Sequence, residues 1–146
     1  MFLLDTNVIS EVRRARRTNP NVAAWAETVA QDDMFLSSVT ILELEIGALR
    51  LARRDASQGR LIQRWIEQRV LPAFADRVLP VDTEVARRCA RLHVPNSRPY
   101  RDSLIAATAL VYRLIVATRN RVDFEPMAVP VLNPWEQSQP SSGGRT

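Results

Sequence analysis

The sequence predicts an α/β fold, a three-layer α/β/α sandwich around a central parallel sheet of about five strands. Three observations carry that expectation. Short apolar runs alternate along the chain with longer segments whose apolar residues recur at helical spacing. The segments between runs are long enough to hold the helical crossovers that parallel strands require. And a chain of 146 residues, 46% hydrophobic, can bury a core without disulfides or structural metal.

Met1 to Leu4 reads as a short buried strand, followed by a helical turn through Val12 and a basic loop ending in Thr18-Asn19-Pro20. Asn19 is placed to cap a helix with Pro20 at its first position, running to about Gln31 on the stripe Val22, Ala23, Trp25, Ala26 and Val29. Met34 to Ser37 is a second strand. Ser38 or Thr40 opens a long helix whose expected buried face is Ile41, Leu44, Ile46, Ala48, Leu49 and Leu51, ending at Arg53-Arg54. Ser57 to Ala75 is amphipathic, with Leu61, Ile62, Trp65, Ile66 and Val70 at helical spacing, and Pro72 bends or ends it. Arg77 to Val81 makes a third strand, and Asp82 caps a helix from Thr83 to Leu92. A loop, Val94 to Tyr100, leads to an apolar helix from Asp102 to Arg113, a fourth strand from Leu114 to Ala117 and a fifth from Val129 to Leu132. Residues 1–136 form one domain. Residues 137–146, with no apolar member, are expected to be a disordered tail.

The net charge is +4, and all twenty basic residues are arginine. Codon composition accounts for such a bias, and so does contact with phosphates, which guanidinium forks suit. The cluster Arg13, Arg14, Arg16 and Arg17 is the local candidate for a phosphate-binding patch, and it equally fits a solvated helix end. Arg98 and Arg101 are further candidates. The longest apolar stretch, Ser103 to Ala117, is interrupted by Arg113 and falls short of the roughly 20 residues of a membrane span. With Cys89 alone no internal disulfide forms, and with no signal-peptide pattern the expected location is a reducing cytoplasm.

Ligands of an open parallel sheet bind outside the carboxyl ends of its strands. Asp5 follows the first strand, Glu43 lies one to two turns into the helix after the second, and Asp123 follows the fourth. Asp102 stands at the start of the helix leading to that strand. Gathering like charges in a cleft is costly, and a divalent cation removes the cost. Each acid alone also reads as a helix cap, turn or surface residue. Gly47, on the helical face of Thr40 and Glu43, suggests a close backbone approach, since glycine there costs up to roughly 1 kcal/mol. His93, the one histidine, and Cys89 read as packing residues near the loop.

Four stretches carry a resemblance in this order: LLDTN at the start, SSVTILELEIG in the first third, RDSLIAATAL after the loop and TRNRVDF after the fourth strand. Together with the terminal VLNPWE, they resemble the PIN-domain toxins of the VapC and FitB type from bacterial toxin–antitoxin systems. The resemblance implies a metal-dependent endoribonuclease with an acidic quartet at Asp5, Glu43, Asp102 and Asp123. It makes Asp5 and Asp102 the direct Mg²⁺ ligands, with Mn²⁺ as a substitute. Glu43 and Asp123 would then orient water or complete a second metal site. Thr6, Asn7 and Asn120 match positions that hydrogen-bond the acids, and Asn120 competes with Asp123 for the fourth acidic position. The resemblance further implies a homodimer and a VapB/FitA-like antitoxin that forms a heterotetramer or larger assembly. Operator DNA would be reached only through the antitoxin.

The alternative is a phosphatase of the haloacid dehalogenase type with Asp5 as nucleophile. That chemistry wants an aspartate two residues on, where this chain has Asn7, and a lysine, of which it has none.

Overall fold

The computed structural model describes residues 1–136, so the expected tail lies outside the described residues. Five strands form one sheet: β1 (Phe2–Leu4), β2 (Met34–Ser37), β3 (Val78–Leu79), β4 (Ile115–Ala117) and β5 (Val131–Leu132). Their order is β3-β2-β1-β4-β5, and every pairing is parallel. The helices are α1 (Thr6–Val12), α2 (Pro20–Thr28), α3 (Ser38–Arg54), α4 (Ala56–Trp65), α5 (Leu71–Ala73), α6 (Thr83–Leu92), α7 (Tyr100–Tyr112) and α8 (Arg121–Phe124). A π-helical turn, Ile66–Val70, joins α4 to α5. It ends two residues before Pro72, which has no N–H to continue the helical ladder.

Except for Ser37 at the end of β2, the strands are apolar, because helices cover both faces. Adjacent residues of β1 feed opposite sides: Leu3 packs with Ile105, Ala109, Val116 and Phe124, whereas Leu4 packs with Val8, Leu36, Ile66 and Ala117. The expected α/β/α sandwich is the observed fold. Among the described residues, no helix is long and apolar enough to cross a membrane.

Several boundaries differ from expectation. Helix α2 stops at Thr28, because Val29 is already extended, with φ −106° and ψ 127°. Strands β3 and β5, at the two sheet edges, shrink to two residues each. Helix α7 begins at Tyr100, two residues before the expected start, which puts both Arg101 and Asp102 in its first turn. On α3 the expected buried face is too wide. Leu44 and Ala48 are buried, but Ile46 is 36% exposed and Leu49 55%. At 100° per residue, Ile46 lies about 200° around the helix from Leu44, on the side away from the sheet. Leu61 on α4 is likewise exposed.

The close backbone approach occurs at a different glycine from the one expected. A Cβ on Gly47 would meet nothing within 4 Å, so this residue is simply an exposed helix glycine. A Cβ on Gly59 would lie 2.4 Å from the Cα and the Cβ of Ala52. Gly59 therefore lets α4 fold back tightly on α3 after the turn at Asp55, whose side chain caps α4 by accepting from the Gln58 N–H at 3.2 Å.

Asp82 caps α6 as expected, accepting from the Val85 N–H at 2.9 Å, and it also accepts from the Tyr112 hydroxyl at 2.6 Å. The Tyr112 bond first, and the Val85 bond second, hold the Asp82 carboxyl below its ordinary range. The same bond to Asp82 raises the Tyr112 phenol.

Two predictions follow from this packing. Gly59→Ala destabilises the protein by roughly 1–3 kcal/mol through overpacking, whereas Gly47→Ala stabilises it by up to about 1 kcal/mol; denaturant titration of both variants checks the contrast. Because the folded-state value of Asp82 is depressed, its stabilisation is complete above the ordinary aspartate range and is lost as pH falls through the folded value. The Tm difference between wild type and Asp82→Ala is therefore wider at about pH 7 than at about pH 3; a difference that does not change with pH contradicts the pairing.

Candidate active site

The sheet order reverses direction at β1, which is flanked by β2 and β4, and the crevice between the carboxyl ends of β1 and β4 is the switch point where open parallel sheets bind ligands. The register pairs Leu4 with Ala117, which sets Asp5 beside Thr118. The backbone N–H of Asp5 donates to the Ala117 carbonyl at 2.9 Å, continuing the ladder one step past the strand.

The Asp5 side chain is fully buried and hydrogen-bonded on both oxygens. Its Oδ1 accepts from the Thr6 N–H at 2.8 Å, which caps α1. Its Oδ2 accepts from the Thr118 hydroxyl at 2.7 Å and from the Asn7 amide at 3.4 Å. Thr118 accepts in turn from the Asn7 amide at 3.3 Å and the Asn120 N–H at 3.1 Å, which uses the hydroxyl fully. Asn7 Oδ1 accepts from the Arg119 N–H at 3.2 Å and so staples the loops after β1 and β4 together. These bonds make the geometry of Asp5 a property of the sheet.

Glu43 reaches the same point from α3. Its Oε1 accepts from the Thr6 hydroxyl at 3.1 Å. Asp102 arrives from the first turn of α7, where the helix N-terminus favours negative charge. At the centre of the three acids lies the Arg101 guanidinium, with each of its nitrogens directed to a different one. Nε donates to Glu43 Oε2 at 2.6 Å, Nη1 to Asp102 Oδ1 at 2.5 Å, and Nη2 to Asp5 Oδ1. Side-chain exposure rises from 0% at Asp5 through 15% at Asp102 and 26% at Glu43 to 34% at Arg101, so the cleft has a dry floor and an open mouth. Partial burial works against the charged form of Arg101. The hydrogen bond it donates to Glu43 and the charges of Asp5 and Glu43 outweigh it, and the guanidinium is held more firmly protonated than an ordinary arginine.

Three of the four expected acids are therefore brought together. The fourth, Asp123, is exposed on α8, and among the described residues no hydrogen bond or ion pair joins it to the others. Asn120 takes part through its backbone N–H, bonded to Thr118, and its side chain is exposed. Thr6 hydrogen-bonds Asp5 and Glu43, and Asn7 hydrogen-bonds Asp5. Arg101, expected as an RNA contact, is turned inward onto the acids. Arg98 is half-buried in the loop before α7, its N–H donating to His93 Nδ1 at 3.3 Å. The basic cluster is exposed at the far end of α1. Arg13 lies 5.7 Å over the Trp65 ring, Arg14 pairs with Glu11, and Arg16 and Arg17 lie in a 3₁₀ turn. His93 and Cys89 are packing residues, both bonded to the buried Ser103 hydroxyl, at 2.9 and 3.3 Å.

Two site residues were missed or misread from sequence. Thr118 could be singled out only once β4 is known to neighbour β1. Arg101 carries one usable signal, its position directly before Asp102 at a helix start, where a basic residue runs against the macrodipole unless an acid holds it.

A donor set of carboxylate oxygens on three separate elements has the chemistry of a hard divalent cation site. As arranged, the acids are spread around the plane of Arg101, and among the described residues no group of three or more His, Cys, Asp or Glu stands ready to hold an ion. The donors fit in kind, with Arg101 standing in the cation's place.

The PIN domain family profile matches residues 2–129. The chain is 39% identical over 141 residues to Toxin FitB of Neisseria gonorrhoeae, covering 92% of this chain and 99% of that one. It is 39% identical over 142 residues to VapC ribonuclease Y4jK of Sinorhizobium fredii, covering 93% and 99%. The structure of FitAB bound to an IR36 DNA fragment contains a chain that superposes with a TM-score of 0.85 at 35% identity, covering 95% of this chain and 99% of that one. By its fold, and by a match that spans nearly all of the described residues, the chain belongs to the PIN-domain family.

Proposed function

We propose that this protein is a Mg²⁺-dependent endoribonuclease, the toxin of a type II toxin–antitoxin system. The observation that carries the reading is the convergence of Asp5, Glu43 and Asp102 at the switch point, each fixed from a different element. Asp5 and Asp102 would hold the cation. When bound, Mg²⁺, or Mn²⁺ in its place, supplies charge neutralisation for the phosphodiester and a more acidic water.

The chain's own residues do the rest. Thr118, Asn7 and the Thr6 N–H hold both oxygens of Asp5, so the carboxylate needs no reorganisation during the reaction. The Thr6 hydroxyl fixes one oxygen of Glu43; the other, bonded to Arg101 Nε, would orient the attacking water and take its proton once the guanidinium has left. In-line attack then leaves a 5′-phosphate and a 3′-hydroxyl. Asp123, exposed on α8, would join when RNA is bound. Arg13, the C-cap of α1, lies roughly 12 Å along the helix from Asp5, and with Arg14, Arg16 and Arg17 beyond it would contact phosphates flanking the cut.

The antitoxin partner is proposed for the apolar groove between α1, α2 and the π-helical turn, where Val12, Trp25, Trp65, Val70 and Phe74 would take an amphipathic helix. Exposed Leu42, Ile46 and Leu49 on α3 form a separate apolar stripe suited to the second copy of a homodimer. DNA would be engaged through the antitoxin. The phosphatase alternative has no support, because Asn7 bonds Asp5 where that chemistry wants an acid.

Incubation of the protein with RNA and Mg²⁺ tests the reading. Wild type cleaves, chelation stops it and added Mn²⁺ restores it, while Asp5→Asn is inactive. Identical cleavage by wild type and Asp5→Asn contradicts the assignment. Thr118→Val, which removes the bond behind Asp5, lowers metal affinity or cleavage by roughly 10- to 100-fold.

A further inference from the structure

We infer that Arg101 is a built-in occupant of the cation position, and that docking of its guanidinium and binding of the divalent ion are mutually exclusive. The inference rests on the metal-dependent reading above and adds a competitor supplied by the chain itself.

The geometry makes the two states incompatible. Arg101 spends its three nitrogens on three carboxylates, one each. Asp5 has no oxygen to spare, since Oδ2 is taken by Thr118 and Asn7 while Oδ1 serves Thr6 and Arg101. A small divalent cation needs oxygens at about 2.1 Å in near-octahedral order. A planar guanidinium holds acids around its rim at hydrogen-bond distance and spreads them too widely for that.

Charge and access make the exchange workable. Three carboxylates and one guanidinium leave two uncompensated negative charges, so replacing one positive charge by two improves the balance. Arg101 is the most exposed member of the cluster at 34%, and it lies at the mouth. Rotation about its own side-chain bonds carries it into solvent without moving α7. Meanwhile its presence offsets the repulsion that would otherwise push the three acids apart, so the cleft keeps its shape with no metal bound. Binding in such an exchange is reciprocal: whatever the ion does to Arg101, Arg101 does to the ion.

Two readouts independent of RNA cleavage test this. In Mn²⁺ titration followed by electron paramagnetic resonance, Arg101→Gln binds about 5- to 150-fold more tightly than wild type, the usual range for sites coupled in this way. In wild type labelled with ¹⁵N-arginine, the Arg101 side-chain signals are separate and slowly exchanging without metal, and they collapse to a freely rotating average as Mg²⁺ saturates the site. The wild-type measurement stands even if the variant folds poorly. Saturation by Mg²⁺ with Arg101 still locked, or equal Mn²⁺ affinities in the two proteins, overturns the exchange and leaves the metal-dependent reading intact. Failure of both proteins to bind either ion overturns both.

Discussion

The buried carboxylate of Asp5 is the constraint around which the rest of the site is arranged. An ionised group with no exposure must be compensated on all sides. Here the compensation comes from the backbone of α1, from Thr118 on the neighbouring strand, from Asn7 and from Arg101. Each partner is tied to a different part of the fold. β1 and β4 must pair in register to bring Thr118 to Asp5, and α7 must start at Tyr100 to present Arg101 and Asp102 together. The sheet order that places β1 between β2 and β4 is thus a condition for the charge to be there at all.

Much of this was legible in the sequence because it depends on local pattern. The apolar run Phe2-Leu3-Leu4 stopping at Asp5, the caps Asn19 and Asp82, and the strand at Met34–Ser37 follow from neighbouring residues alone. The positions of Asp5 and Glu43 near the strand ends follow from the alternation of strand and helix. What was not legible depends on which elements touch. Gly47 and Gly59 look alike in sequence, and only the return of α4 onto α3 makes the second one indispensable. Ile46, Leu49 and Leu61 look like core residues, yet they face outward because no layer of the described residues covers that side. Thr118 gained its role from a neighbouring strand more than a hundred residues away in sequence.

Arg101 shows the same limit most clearly. Among twenty arginines in a lysine-free chain it looked like one more phosphate contact. Its inward orientation is set by the neighbouring Asp102 together with Asp5 and Glu43, and the last two are long-range partners that no local pattern encodes. Once seen, it changes the electrostatics of the cleft from a bare acidic cluster, which would repel itself, to a compensated one. In the exchange proposed above, the site would have two arrangements, one closed by the chain's own cation and one open to a divalent ion.

The central claim is that Asp5, Glu43 and Asp102 form a cation centre at the β1–β4 switch point. A crystal soaked in Mn²⁺ and measured at the manganese absorption edge tests it most directly. The account predicts an anomalous peak between Asp5 and Asp102 with the Arg101 guanidinium turned out to solvent. An empty cleft with Arg101 still seated on the three acids, under conditions where the protein cleaves RNA, would contradict it.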